Sequence, residues 1–306
     1  MQFGEFSDRV RLPRVRSSVI LPQPLRSLIG ICSVLLLLQG PAHAQIGNVE
    51  FEAFAGHDSN PSRAQAGDGV GAESVQGVRA TWLRSVLLDE RSGMILQGGG
   101  TFERHSAYSG LNNLALNAGA TYRIQPTVGY AMPWYELSLD LNAHRYANSS
   151  IRDGISAALE LSVGKHFTDR IYSTAGAGVR RSLAGQGYIF DLTQRTLFAT
   201  LGYRFSLDDT LYVRLSQGRG DQVFGARETY GVSGTAKASG DDPVFGDGYY
   251  AYRMDAVANS VEAGVNIPLR GYGALDLRAR RSRSRADGGE TYDDTLMLIS
   301  WRYSYF

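Results

Sequence analysis

Residues Thr295 to Phe306 read TLMLISWRYSYF. Met297, Ile299, Trp301, Tyr303 and Tyr305 take one set of alternate positions, and Ser300, Arg302 and Ser304 take the other. A period of two is the mark of a β-strand with one apolar and one polar face. A strand that carries such a face to its end leaves an open, adhesive edge unless another strand pairs with it. Closing the sheet on itself, last strand against first, removes the edge. The clustered rings of Trp301, Tyr303 and Tyr305 suit the boundary between an apolar medium and water.

The alternation recurs along the chain. Tyr135, Leu137, Leu139, Leu141 and Ala143 oppose Glu136, Ser138, Asp140, Asn142 and His144. Ile155, Ala157, Leu159, Leu161 and Val163 repeat the pattern, as do Leu197, Ala199, Leu201, Tyr203 and Phe205, and then Leu211, Val213 and Leu215. Twelve strands are predicted, at about 47–57, 73–86, 93–106, 111–124, 134–146, 153–167, 171–183, 189–206, 210–221, 249–267, 271–285 and 290–306. Tight turns fall near 89–92, 168–170, 207–209 and 268–270, while the linkers near 58–72 and 222–248 are long and rich in Gly, Asp and Ser. The alternative of a soluble sandwich fits less well, because the polar face carries Gly, Ser and Thr among its charges, as a crowded wet interior would. Short turns at one end and long loops at the other are expected of an outer-membrane barrel. The fold class is therefore all-β: a transmembrane antiparallel up-and-down β-barrel of about 12 strands, with both termini on the periplasmic side.

The N-terminal segment agrees. Arg9, Arg11, Arg14, Arg16 and Arg26 precede the apolar run Leu28 to Leu38, and Ala42-His43-Ala44 follows. A basic region, a short apolar core and a small-residue site make a secretory signal over residues 1–44, leaving 45–306 as the barrel. The run is too short to span about 30 Å comfortably as a helix. Its Cys32 is the only cysteine, so the processed chain has no disulfide and no cysteine-based metal or thiol chemistry. The chain holds 31 Lys and Arg against 30 Asp and Glu; five arginines, Glu5 and Asp8 leave with the signal, so the remainder carries a net charge of −2. No nucleic-acid partner is implied.

The whole processed chain resembles a bacterial outer-membrane β-barrel. Its opening strand, ending Ala55-Gly56-His57-Asp58-Ser59-Asn60-Pro61, is similar to the openings of porin-like barrels, some of them associated with exopolysaccharide export. The resemblance implies a bacterial outer-membrane location, contact with membrane lipid and lipopolysaccharide, insertion by the barrel assembly machinery, and passage of a polysaccharide or small polar solute. Phe306 departs from the usual terminal signal, because its own alternate set contains Ser304 and Arg302.

Parity sends most charges inward. Glu50, Glu52, Glu103, Glu136, Asp140 and Glu160 lie on the first six strands, with Arg79 and Arg123. Arg180, Arg204, Arg214, Arg278, Arg280 and Arg302 lie on the last six, with Glu262 and Asp276. A lumen with one acidic and one basic wall would orient polar solutes and filter ions. The competing reading is a plug, in which these groups merely neutralise one another in a narrow barrel. Arg281, Arg283 and Arg285 fall near the outer rim, where guanidinium groups suit lipopolysaccharide phosphates or an anionic polymer, or are simply solvated. The histidines His57, His105, His144 and His166 raise catalysis on lipid or lipopolysaccharide, but no G-x-S-x-G or H-E-x-x-H occurs. No catalytic residue, metal ligand or cofactor is assigned; Asp241, Asp242 and Asp247 do not match an EF-hand. The segment 222–248 is expected to be either a mobile loop or one folded by Tyr230, Phe245, Tyr249 and Tyr250, constricting the pore or touching its passenger. The function expected is a channel, with an outer-membrane enzyme or a surface adhesin as alternatives.

Overall fold

The computed structural model describes residues 47–65, 71–185, 188–206, 209–227, 235–269 and 273–305. The expected signal segment, Tyr230 and Phe306 lie outside the described residues. Thirteen strands follow in chain order: β1 (Asn48–Asp58), β2 (Glu73–Leu87), β3 (Ser92–His105), β4 (Asn113–Ile124), β5 (Trp134–Tyr146), β6 (Gly154–His166), β7 (Ile171–Ala184), β8 (Leu192–Arg204), β9 (Thr210–Arg227), the short β10 (Ala238–Asp241), β11 (Tyr249–Pro268), β12 (Gly273–Ala286) and β13 (Thr291–Tyr305). All but β10 form a closed antiparallel ring. Sequential neighbours pair throughout, β9 pairs with β11, and β13 closes on β1 from Val49 opposite Tyr305 to Asp58 opposite Leu296. The register of closure keeps Met297, Ile299, Trp301, Tyr303 and Tyr305 on one face, all of them exposed.

That outer face is apolar all round. Leu137, Leu139, Leu159, Leu161, Leu197, Leu201, Leu211 and Leu215 are all exposed on it. The inner face is polar and small; Asn117, Asn142 and Ser156, for instance, stand opposite one another on β4, β5 and β6. Glycine on the inner face has a specific use. Phe54 lies over Gly77, Trp134 over Gly164, Phe198 over Gly176, Tyr172 over Gly202 and Tyr212 over Gly264, each pair directly opposite across neighbouring strands. A Cβ on any of these glycines would come within 3.0 Å of the ring. A narrow barrel seats its bulky inward rings flat against the wall in this way, which also pins strand register.

The mouth opposite the termini is covered. β9 and β11 continue as a paired hairpin beyond the end of β8, whose last partner on β9 is Gly220. Gly220 has φ +128°, a conformation that favours glycine, and marks the bend. Residues 222–226 are buried in succession, so this part of β9 is covered on both faces. Phe224, Tyr252 and Met254 pack with Ala286 and Tyr292 on one side, and Val223 and Ala251 pack with Ile189 on the other. β10 adds to β11 where β12 has ended. The hairpin and the segment through Phe245 therefore fold over the opening as a lid.

Two expectations change. β9 runs to Arg227 rather than stopping near 221, because burial on both faces erases the alternation there. Connection lengths are less regular than expected: β4 to β5 takes residues 125–133 at the short-turn end, and β12 to β13 takes only 287–290 at the lid end.

Leu139 is 44% exposed on the apolar face. Leu139→Arg should cost about 2–4 kcal/mol near mid-membrane, whereas Asn142→Arg on the inner face should assemble well. Heat-modifiable gel mobility of the two variants checks this, and equal assembly would reject the assigned faces.

Candidate functional site: the lumen and its lid

The lid is held at points around the whole ring. Asp242, 1% exposed, receives both Nη groups of Arg152 from the β5–β6 connection, with Nη1 to Oδ1 at 2.7 Å and Nη2 bonded to Oδ2. The Arg152 guanidinium lies 4.8 Å from the ring centroid of Phe190 and 5.5 Å from that of Phe245. Phe245 meets Tyr108 of the β3–β4 connection at 5.1 Å, and Val244 packs against Gly110 there. Since β3 and β4 lie on the far side of the ring from β9 and β11, the lid reaches across the full opening. On the β1–β2 connection, Tyr249 donates to Ser62 Oγ at 3.1 Å, and Ala64 bridges Gly225 in parallel. At the root of the hairpin, Lys237 Nζ lies 2.7 Å from both Asp221 and Asp255. Those hydrogen bonds, Asp221 first, raise the Lys237 pKa and keep it charged.

Beneath the lid is a chamber of about 440 Å³. Glu103, His105, His144, Arg180, Gln194 and Arg63 are among the residues that line it. Arg63, in the β1–β2 connection, has φ 55°, an unusual backbone for a side chain of that size, and turns into the interior. Glu103 accepts from Asn113 Nδ2 at 2.7 Å, and His105 Nδ1 lies 2.7 Å from Glu73. No hydroxyl is hydrogen-bonded to the His105 ring among the described residues.

Below the chamber, Arg214 reaches over a quarter of the inner wall. It stacks 4.0 Å from the ring centroid of Phe198 and reaches within 3.9 Å of Glu160, three strands away. Because Phe198 is seated on Gly176, this arm rests on a glycine of β7. Glu52 pairs with Arg79 at 3.0 Å, Arg123 Nε donates to Glu136 at 2.6 Å, and Asp276 lies 3.7 Å from Arg302. Asp140 accepts from Gln97 at 2.8 Å. Several acids of the first six strands are thus met by bases of the same half, and among the described residues Glu160 is the one that pairs with a base of the other. Arg180, Arg204, Arg278 and Arg280 have no carboxylate within 4.0 Å among the described residues. Arg281, Arg283 and Arg285 alternate with these and point outward, with Arg283 3.9 Å from Asp293.

Sequence reading found the faces but not the lid's fastenings. Phe245 and Tyr249 do anchor the segment as anticipated, whereas Arg152 carried no signal: an isolated charge in a polar connection has no pattern to mark it. Asp242 stood out only as an acidic loop residue.

No protein-family model matches the chain, and no curated protein matches it. Among solved structures, an outer membrane channel from Pseudomonas putida F1 is similar with a TM-score of 0.56 at 12% identity, over 87% of this chain and 99% of that one. The KdgM porin in complex with disordered oligogalacturonate gives 0.41 at 10% identity, over 85% and 99%. LpxR from Salmonella typhimurium gives 0.39 at 12% identity, over 82% and 99%. The chain is a closed twelve-stranded antiparallel barrel with the fold of bacterial outer-membrane β-barrels.

Truncating Asp242 to Ala leaves Arg152 buried without its partner, which typically costs about 3–5 kcal/mol. Asp242→Ala should loosen the lid while the wall stays folded. Amide exchange should rise over 222–227 and 249–254 and stay unchanged in β5 and β6. Unaltered protection of the lid would show that the pair is not a fastening.

Proposed function

We propose that this protein is an outer-membrane channel for polar solutes, with both termini periplasmic and the lid at the cell surface. The observation that carries the reading is the set of inward arginines, Arg180, Arg204, Arg278 and Arg280, that stand without a carboxylate within 4.0 Å among the described residues. A plugged barrel would neutralise its buried charges, because an unpaired ion in a dry interior costs several kcal/mol or more. Charges left unpaired are affordable only where water reaches them. The chamber under the lid is of a size that takes one small solute, since ligand sites commonly measure about 300–1,000 Å³. The lid sets the constriction above it and the Glu160–Arg214 arm sets one below. A polysaccharide would have to displace both, so a small polar solute is the favoured passenger. Residues 1–44 would serve as the export signal, and insertion would use the barrel assembly machinery.

An outer-membrane enzyme acting on lipid or lipopolysaccharide is the second reading. The observation on its side is the oriented His105–Glu73 pair, a base lacking a bonded nucleophile.

Planar-bilayer recording of the purified protein tests the proposal. The intact barrel should conduct weakly or intermittently, and deletion of Thr235 to Asp242 should raise conductance. Arg204→Glu combined with Arg214→Glu should move the reversal potential toward cation preference. A barrel silent with and without the lid segment would overturn the channel, and lipid hydrolysis by that silent protein would select the enzyme.

A further inference from the structure

The outer face carries a second cluster of arginines that the channel does not use. Arg195 on β8 stands directly opposite Arg219 on β9. Arg219 faces Val257 on β11, and Val257 faces Arg285 on β12. Arg283 and Arg281 follow along β12, and Arg181 lies on the same outer face of β7. All six are exposed. The only ion pair formed by any of them among the described residues is Arg283 with Asp293, at 3.9 Å and with both side chains more than half exposed. Asp221 and Asp255, the next carboxylates along β9 and β11, are bonded to Lys237.

Like charges placed directly opposite across a sheet repel and are destabilising. The position of these sharpens the point. They lie at the lid-side edge of the apolar belt: Leu215 on β9 is followed toward the lid by Gln217 and Arg219, Arg281 on β12 stands level with Val261 and Leu215, and Arg283 and Arg285 follow. The cluster therefore forms a band over β7 to β12, running from the lid-side edge of the apolar belt toward the lid. An anion of the outer leaflet would neutralise them there.

We infer that Arg181, Arg195, Arg219, Arg281, Arg283 and Arg285 form a docking surface for the phosphate groups of lipopolysaccharide in the outer leaflet. Guanidinium groups meet phosphate oxygens through paired N–H donors, and at a partly desolvated interface such bonds are stronger than in water. Several arginines spaced across four strands match a headgroup bearing more than one phosphate better than the single phosphate of an ordinary phospholipid. Glycolipid packed here would also cover the outside of β9 and β11 below the lid and stiffen the wall from which the lid rises. The surface rests on the outer-membrane reading but not on conduction, which the bilayer recording tests separately.

The test uses the full-length processed barrel in neutral detergent, with lipopolysaccharide as the probe and the same material stripped of phosphate as its control. The intact protein should bind the phosphorylated form about tenfold more tightly. Arg195→Gln, Arg219→Gln and Arg285→Gln combined should remove that preference, while Arg204→Gln, inside the lumen, should leave it in place. Heat-modifiable mobility confirms that each variant is folded. Should the triple variant fail to fold, Arg219→Gln alone and the phosphate-stripped control still decide. Equal binding of the two forms by the intact protein would overturn the proposal, as would full retention by the triple variant. Equally tight binding of phosphatidylglycerol vesicles would overturn the assignment to lipopolysaccharide.

Discussion

Every strand in this molecule depends on closure. In hydrocarbon no water is available to satisfy a free N–H or C=O, so a sheet survives there only when each strand has a partner on both edges. The pairing of β1 with β13 supplies the last of those partners, and its register fixes the rest. Slipping β13 by one residue against β1 would turn Arg302 outward and bring Trp301 and Tyr303 into the lumen. The apolar belt, the polar interior and the height of the outer arginines all follow from that one alignment.

Closure with twelve strands also makes the interior small. The chain meets this with glycine. Five inward rings lie flat on cross-strand glycines, which keeps them out of the path and leaves charges as the groups that extend into it. Arg214 shows the consequence. Its guanidinium is propped on Phe198, Phe198 rests on Gly176, and the arm reaches Glu160 across two intervening strands. The arm at that level is thus built up from the wall, with a residue that has no side chain at its base.

How much of this the sequence disclosed depends on whether a feature is local. Alternation is local, so the wall strands were legible to within a few residues. The end of β9, Gln222-Val223-Phe224-Gly225-Ala226, was not, because a segment covered on both faces has no reason to alternate. β10 reads Ala-Ser-Gly-Asp, and its one small apolar residue, Ala238, makes no alternation to betray a strand. Parity assigned charges to the inside, but which charge meets which is set by register between strands. Arg79 therefore finds Glu52, and Arg123 finds Glu136, within the half that looked acidic. Arg195 and Arg219 gave no signal either, for each looks like a single rim charge until pairing puts them face to face.

The lid resolves a tension between these parts. A polar lumen with unpaired arginines needs water, yet water-filled passages admit whatever fits. A plug of packed apolar side chains would exclude solutes by filling the lumen, and nothing could then move through. Here the apolar cluster joins Phe224, Tyr252 and Met254 of the lid to Ala286 and Tyr292 at the lid-side ends of β12 and β13, above the passage. The fastenings farther round the ring mix polar and apolar contacts: Arg152 to Asp242, Tyr249 to Ser62, and Phe245 against Tyr108. Such an element keeps its own fold when its outer contacts part, because its core and its strand pairing with β11 lie on the hinge side of Asp242. The bend at Gly220 is where the lid hairpin leaves the line of the wall.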